Sequence, residues 1–106
     1  MKVAAHHWLV WVTLPDKKTQ DKLTFVLLKE KLAACISVFP VFSQYRWKGK
    51  VVRKKELQLM IKTSAPIGKL KRRIAELHPY EVPEILAFEV KKGLADYLAW
   101  MRKESG

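Results

Sequence analysis

Four side chains able to exchange protons or bind ions fall close together: His78, Tyr80, Glu81 and Glu84, within Glu76-Leu77-His78-Pro79-Tyr80-Glu81-Val82-Pro83-Glu84-Ile85. An imidazole that titrates near neutrality is both a proton shuttle and a metal donor, and a carboxylate beside it can complete either role. Position matters as much as type. Pro79 drives His78 out of the helical region, so a helix arriving from Leu70 must stop there. Pro83 restrains the chain again before the strand-like run Glu84 to Val90. A segment held at both ends presents its polar groups in a fixed relation. The same residues also read as a helix stop and a rigid turn, with His78 as a hydrogen-bonded structural histidine.

Other chemistry is sparse. The chain has no nucleophile–base triad, HExxH, glycine-rich phosphate loop or CxxC, so an enzyme is not expected. His78 with a neighbouring glutamate is the one acid–base pair left to consider. His6 and His7 are adjacent, so on a strand they point to opposite faces and do not share an ion easily. The single Cys35 cannot form an internal disulfide. It reads as small packing, and a reducing cytoplasm suits it.

The elements that must position these residues follow from periodicity. Trp8 to Thr13 is apolar without alternation, as in a strand covered on both faces. Asp16 is placed to cap a helix from Lys17 to Lys31, with Leu23, Val26 and Leu27 inward and Phe25 and Leu28 flanking. Leu32 to Phe39 returns to strand character. Pro40 then demands an edge or a bulge. Beyond it Val41, Ser43, Tyr45 and Trp47 share one face, with Phe42, Gln44 and Arg46 on the other. Lys48-Gly49 is a two-residue hairpin turn into a long return strand. Ser64 and Pro66 open a second helix with Ile67, Leu70, Ile74 and Leu77 as its buried stripe. After the His-Pro-Tyr segment and a fourth strand, a last helix lines up Leu94, Tyr97, Leu98 and Met101, with Trp100 beside them.

The order β-α-β-β-α-β with a terminal helix is the α+β, ferredoxin-like split-βαβ arrangement, in a chain long enough for one domain. Its hairpin is disproportionate. Each arm is ~14 residues, or ~45 Å at about 3.3 Å per residue, against a radius of gyration of about 13 Å for a domain this size. The ribbon must bend at Pro40 and fold back, or lie against another subunit. The second reading is favoured, because Phe42, Tyr45 and Trp47 need cover, and it places Pro40, Phe42, Tyr45, Trp47 and Val51 at an oligomer interface.

Composition narrows the partners. Half the chain is apolar, and no unbroken apolar run is longer than the five residues of Trp8 to Val12, too short to span a bilayer. No charged-then-apolar leader opens the sequence, so neither export nor a membrane is expected. The net charge of +11 is concentrated in residues 46–73, where eleven Lys and Arg stand against Glu56 alone. Polyanion or nucleic-acid binding through this region is the alternative function, although no RNP1 pattern accompanies it.

Several motifs, in this order and spacing, resemble the CutA divalent-cation tolerance family: Thr13-Leu14-Pro15-Asp16, Glu30-Lys31-Leu32-Ala33-Ala34-Cys35, Tyr45-Arg46-Trp47-Lys48-Gly49-Lys50, Ile61-Lys62-Thr63, the His-Pro-Tyr segment and Tyr97-Leu98-Ala99-Trp100. The resemblance runs from about Trp8 to Arg102. It implies a cytoplasmic, PII-like homotrimer of ferredoxin-like subunits. It also implies a non-enzymatic binding or signalling role tied to divalent metal and copper tolerance, and in animals to anchoring of acetylcholinesterase. No cofactor is required by it. The metal set proposed for bacterial members, a first-strand cysteine and two adjacent histidines, is reduced here to His78, since Val12 and Leu77 occupy the other positions. One imidazole, helped by Glu81 or Glu84, would hold a divalent ion such as copper only weakly. The resemblance also points to a small-ligand or metal cleft between subunits, lined by Tyr45, Lys62, His78, Tyr80, Glu81 and Glu84, with Trp47 as an apolar wall.

Overall fold

Residues 6–106 are described by a computed structural model of the chain. The expectation about a leader rests on the opening residues and lies outside this range. Seven elements follow in order: β1 (Trp8–Leu14), α1 (Lys17–Lys29), β2 (Cys35–Trp47), β3 (Lys50–Thr63), α2 (Ile67–Leu77), β4 (Ile85–Glu89) and α3 (Ala95–Glu104). The strands form one antiparallel sheet in the order β2-β3-β1-β4. This is the ferredoxin-like arrangement that the element order predicts.

Alternation decides which side of the sheet each strand residue joins. Val10, Val12 and Leu14 of β1 pair with Ile61, Leu59 and Leu57 of β3. The side chains of Val10, Val12, Leu14, Leu59 and Ile61 meet Leu23 and Leu27 of α1 and Leu70 and Ile74 of α2 in a sealed core. The opposite face is only partly covered within one chain. There Trp11 is half-buried and meets Phe39 edge-on, while Leu86 and Phe88 of β4 remain half-exposed. β1 is thus fully covered on one face, not on both.

The expected caps meet different fates. Asp16 caps α1 by accepting the Thr19 N–H at 2.8 Å. Ser64 does not cap α2: the helix starts after Pro66 without a side-chain cap, and the Ser64 hydroxyl is buried without a partner. Its neighbour supplies the bond instead, Ala65 N–H donating to Thr63 Oγ1 at 2.9 Å. In α3 only Met101 is buried, whereas Leu94, Tyr97 and Trp100 stay exposed, so the expected apolar face is largely unburied. The helix touches the rest of the fold at His7 and Ser64, near one end of the sheet.

β2 and β3 pair in unbroken register from Cys35↔Lys62 to Trp47↔Lys50, passing through Pro40↔Leu57 without a bulge. Pro40 is tolerated because β2 is an edge strand, where a missing N–H breaks no inward ladder. At the tip Lys48 and Gly49 both take positive φ, 50° and 78°, as a type I′ hairpin requires. β1 accompanies β3 only from Leu57 to Thr63. Lys50–Glu56 therefore have no strand partner but β2, and the ribbon overhangs the sheet by roughly 20 Å. The long dimension of the molecule is 50 Å against 24 and 23 Å for the other two. The ribbon projects; it does not fold back.

Candidate functional site

α2 ends where Pro79 requires. His78 is its C-cap residue, extended at φ −81° and ψ 134°, and its N–H still donates to Ile74 O at 2.9 Å. The extended conformation turns the imidazole under the sheet, where it is buried. Nδ1 accepts the Tyr80 backbone N–H at 3.1 Å, which places the proton on Nε2, and Nε2 donates to Thr13 O at 2.7 Å. Burial holds this imidazole below its ordinary pKa, opposed in part by the bond to Thr13 and the charge of Glu56. His78 is a neutral tie between β1 and the turn. In this arrangement both nitrogens are engaged, and neither presents a free lone pair to a metal.

The tie orients Tyr80, whose ring lies 4.9 Å from the imidazole. Its hydroxyl donates to Glu56 Oε2 at 2.7 Å. Burial, then this bond and the charge of Glu56, push the phenol well above its usual pKa. Lys54 Nζ stands 4.5 Å from the centroid of the same ring, a cation–π contact. Glu56 itself is only 6 % exposed. Glu84 accepts from Gln58 Nε2 at 3.1 Å, which anchors the far end of the turn to β3.

Between this turn and the overhanging part of the ribbon lies a hollow of about 740 Å³. Of the residues expected in a cleft, Tyr45, Trp47, Tyr80, Glu81 and Glu84 line it. His78 stands behind it as a support. Within one chain Lys62 stands far from it: it pairs with Cys35 at the opposite end of the ribbon and hydrogen-bonds Ser37, ten positions along β3 from Val52, the partner of Tyr45, or roughly 33 Å away. Lys54 and Glu56 also line it and were not singled out as site residues from sequence. A signal existed for Glu56, the only acid in an otherwise basic stretch. Its meaning depended on Tyr80, distant in sequence.

The remaining candidates stay apart. His6 stands exposed beside Glu89, while His7 is buried against α3, so the two do not share one site. Cys35 is a free thiol with Lys62 Nζ 3.8 Å away. The basic residues of 46–73 divide between the ribbon and the outer side of α2. Several already have partners: Lys48 over Trp47, Lys55 over Phe42, and Arg73 paired with Glu30 and Glu76. No helix among the described residues is long and apolar enough to cross a membrane.

Comparison with known proteins gives a consistent answer. The family model described as "CutA1 divalent ion tolerance protein" matches residues 8–104. The chain is 41% identical over 100 residues to the divalent-cation tolerance protein CutA of Thermus thermophilus, spanning 92% of this chain and 97% of that one. The solved structure of the Thermus protein superposes with a TM-score of 0.90 at 40% identity, covering 94% of this chain and 99% of the other. The PII-like protein CutA from Nostoc superposes at 0.87 with 36% identity, covering 93% and 97%. With its ferredoxin-like sheet, overhanging ribbon and His-Pro-Tyr turn, the chain belongs to the CutA1 divalent ion tolerance family.

Proposed function

We propose that this protein is a non-enzymatic, homotrimeric binding and signalling module of divalent-cation tolerance, acting in the cytoplasm through the hollow beside its overhanging ribbon. The observation that carries the reading is the ribbon itself. Phe42, Tyr45, Trp47 and Val51 are all exposed on it, Phe42 by 81 %. Side chains of that size on a projecting two-stranded arm gain stability when a second copy covers them. A sister chain reaching across Tyr45 and Trp47 would also wall the hollow, making the binding site a shared one. The PII-like description of the Nostoc relative supports a signalling role over a catalytic one. So does His78, whose Nε2 proton is committed to Thr13 O and whose Nδ1 lone pair is committed to the Tyr80 N–H. A divalent ion such as copper would draw on Glu81 and Glu84 and be held weakly, because among the described residues no three His, Cys, Asp or Glu side chains gather around one point. Light scattering of the native protein tests the assembly. We expect the mass of three chains, and a mass of one chain overturns the reading.

A further inference from the structure

The hollow has a sign opposite to that of the protein. The chain carries +11, yet Glu56, Glu81 and Glu84 line this space against Lys54 alone. Among the described residues none of the three carboxylates is in an ion pair. Glu56 is the most telling. A carboxylate more than nine-tenths buried is stable when its charge is compensated, and here only Oε2 is bonded, to the Tyr80 hydroxyl. Oε1 has no hydrogen-bond partner among the described residues, and Glu56 is part of the hollow's lining. The walls are aromatic as well. Tyr80 already holds the Lys54 ammonium over its face at 4.5 Å, which shows how this site treats a cation, and Tyr45 and Trp47, the latter with Lys48 5.8 Å from its ring, add two further aromatic side chains to the lining.

We propose that the hollow binds a small organic cation, an alkyl amine or diamine, whose ammonium groups meet Glu56 and Glu81 while its carbon chain lies against Tyr45 and Trp47. This rests on the hollow being the working site and adds the class of ligand. A bare metal ion suits the space less well, because the carboxylates are spread along it and do not gather as a coordination set. An anion would face a lining that carries more negative than positive charge. The volume of about 740 Å³ is in the range of small-molecule sites.

Calorimetric titration of the native protein with 1,4-diaminobutane at constant ionic strength tests the proposal, with inorganic phosphate and Cu²⁺ titrated in parallel. We expect saturable binding of the diamine, weakened about tenfold by Glu56→Gln, which keeps an acceptor for Tyr80, and severalfold by Glu81→Gln, an exposed change that leaves the fold intact. Saturable heat from phosphate or Cu²⁺ but not from the diamine, lost in the same variants, would keep the hollow as the site and overturn the ligand class. No saturable heat from any probe would overturn both. Diamine binding unchanged in both variants would move the cation elsewhere and overturn the proposal.

Discussion

His78 illustrates how local geometry sets what a residue can do. Tyr80 N–H and Thr13 O demand one neutral tautomer, and burial penalises the charged form, so the folded pKa lies below the ordinary imidazole value of about 6.5. Below about pH 6.5 the unfolded chain takes up a proton that the folded chain refuses. The stability from His78 is therefore fully present above about pH 7. It is lost as pH falls from 6.5 toward the folded pKa, at no more than about 1.4 kcal/mol per pH unit. Urea denaturation at pH 7.5, 6.5 and 5.5 checks this. The wild-type midpoint should fall across that window more steeply than that of His78→Gln, and equal slopes would exclude the mechanism. The residue types in this turn were legible from the sequence, and so was the extended backbone before Pro79. That both ring nitrogens are occupied was not, because one of the partners, the carbonyl of Thr13, lies 65 positions earlier.

The elements follow local rules where the partners are local. Asp16 caps α1 through a bond to Thr19, three positions on, which holds its carboxyl below the usual range. Asp16→Ala should lower the thermal midpoint, and Asp16→Asn, which retains the acceptor, should restore most of it. A midpoint unmoved by Asp16→Ala would show that the cap carries no stability. Ser64 has the right type for a cap, but Thr63 Oγ1 takes the Ala65 N–H and the Ser64 backbone N–H donates to Ser105 Oγ at 2.8 Å. Tertiary contacts displaced the local signal there. They also left most of the apolar side of α3 open, since the helix meets the body of the fold at one end of the sheet, near His7 and Ser64. The hairpin needed no such correction: its turn residues, its length and the edge placement of Pro40 all agree with the sequence reading.

On the scale of the whole molecule the ribbon and the open sheet face present the same problem, apolar surface without cover. Val51 is 66 % exposed on the ribbon and pairs with Arg46 across the strands. Val51→Lys keeps the strand but sets like charges opposite each other at each copy of an assembled interface. Under the proposed assembly it should shift the light-scattering mass from three chains toward one, and the shift should deepen at low salt, where repulsion is screened least. An unchanged mass would show that Val51 lies outside the contact between chains.

From the sequence alone came the order of elements, the split-βαβ class, the helix stop at Pro79 and the overlong hairpin, because each depends on periodicity or on a backbone preference within a few residues. The tertiary structure alone decided that Lys62 stands at the end of the ribbon far from Tyr45 of the same chain, that His78 is a tie, and that Glu56 meets Tyr80 beside the hollow. The physical reason is pairing register. Once β2 and β3 zip from Trp47↔Lys50, every side chain on them has a fixed height above the sheet, and only strand pairing across the whole chain states which heights coincide with the turn after α2.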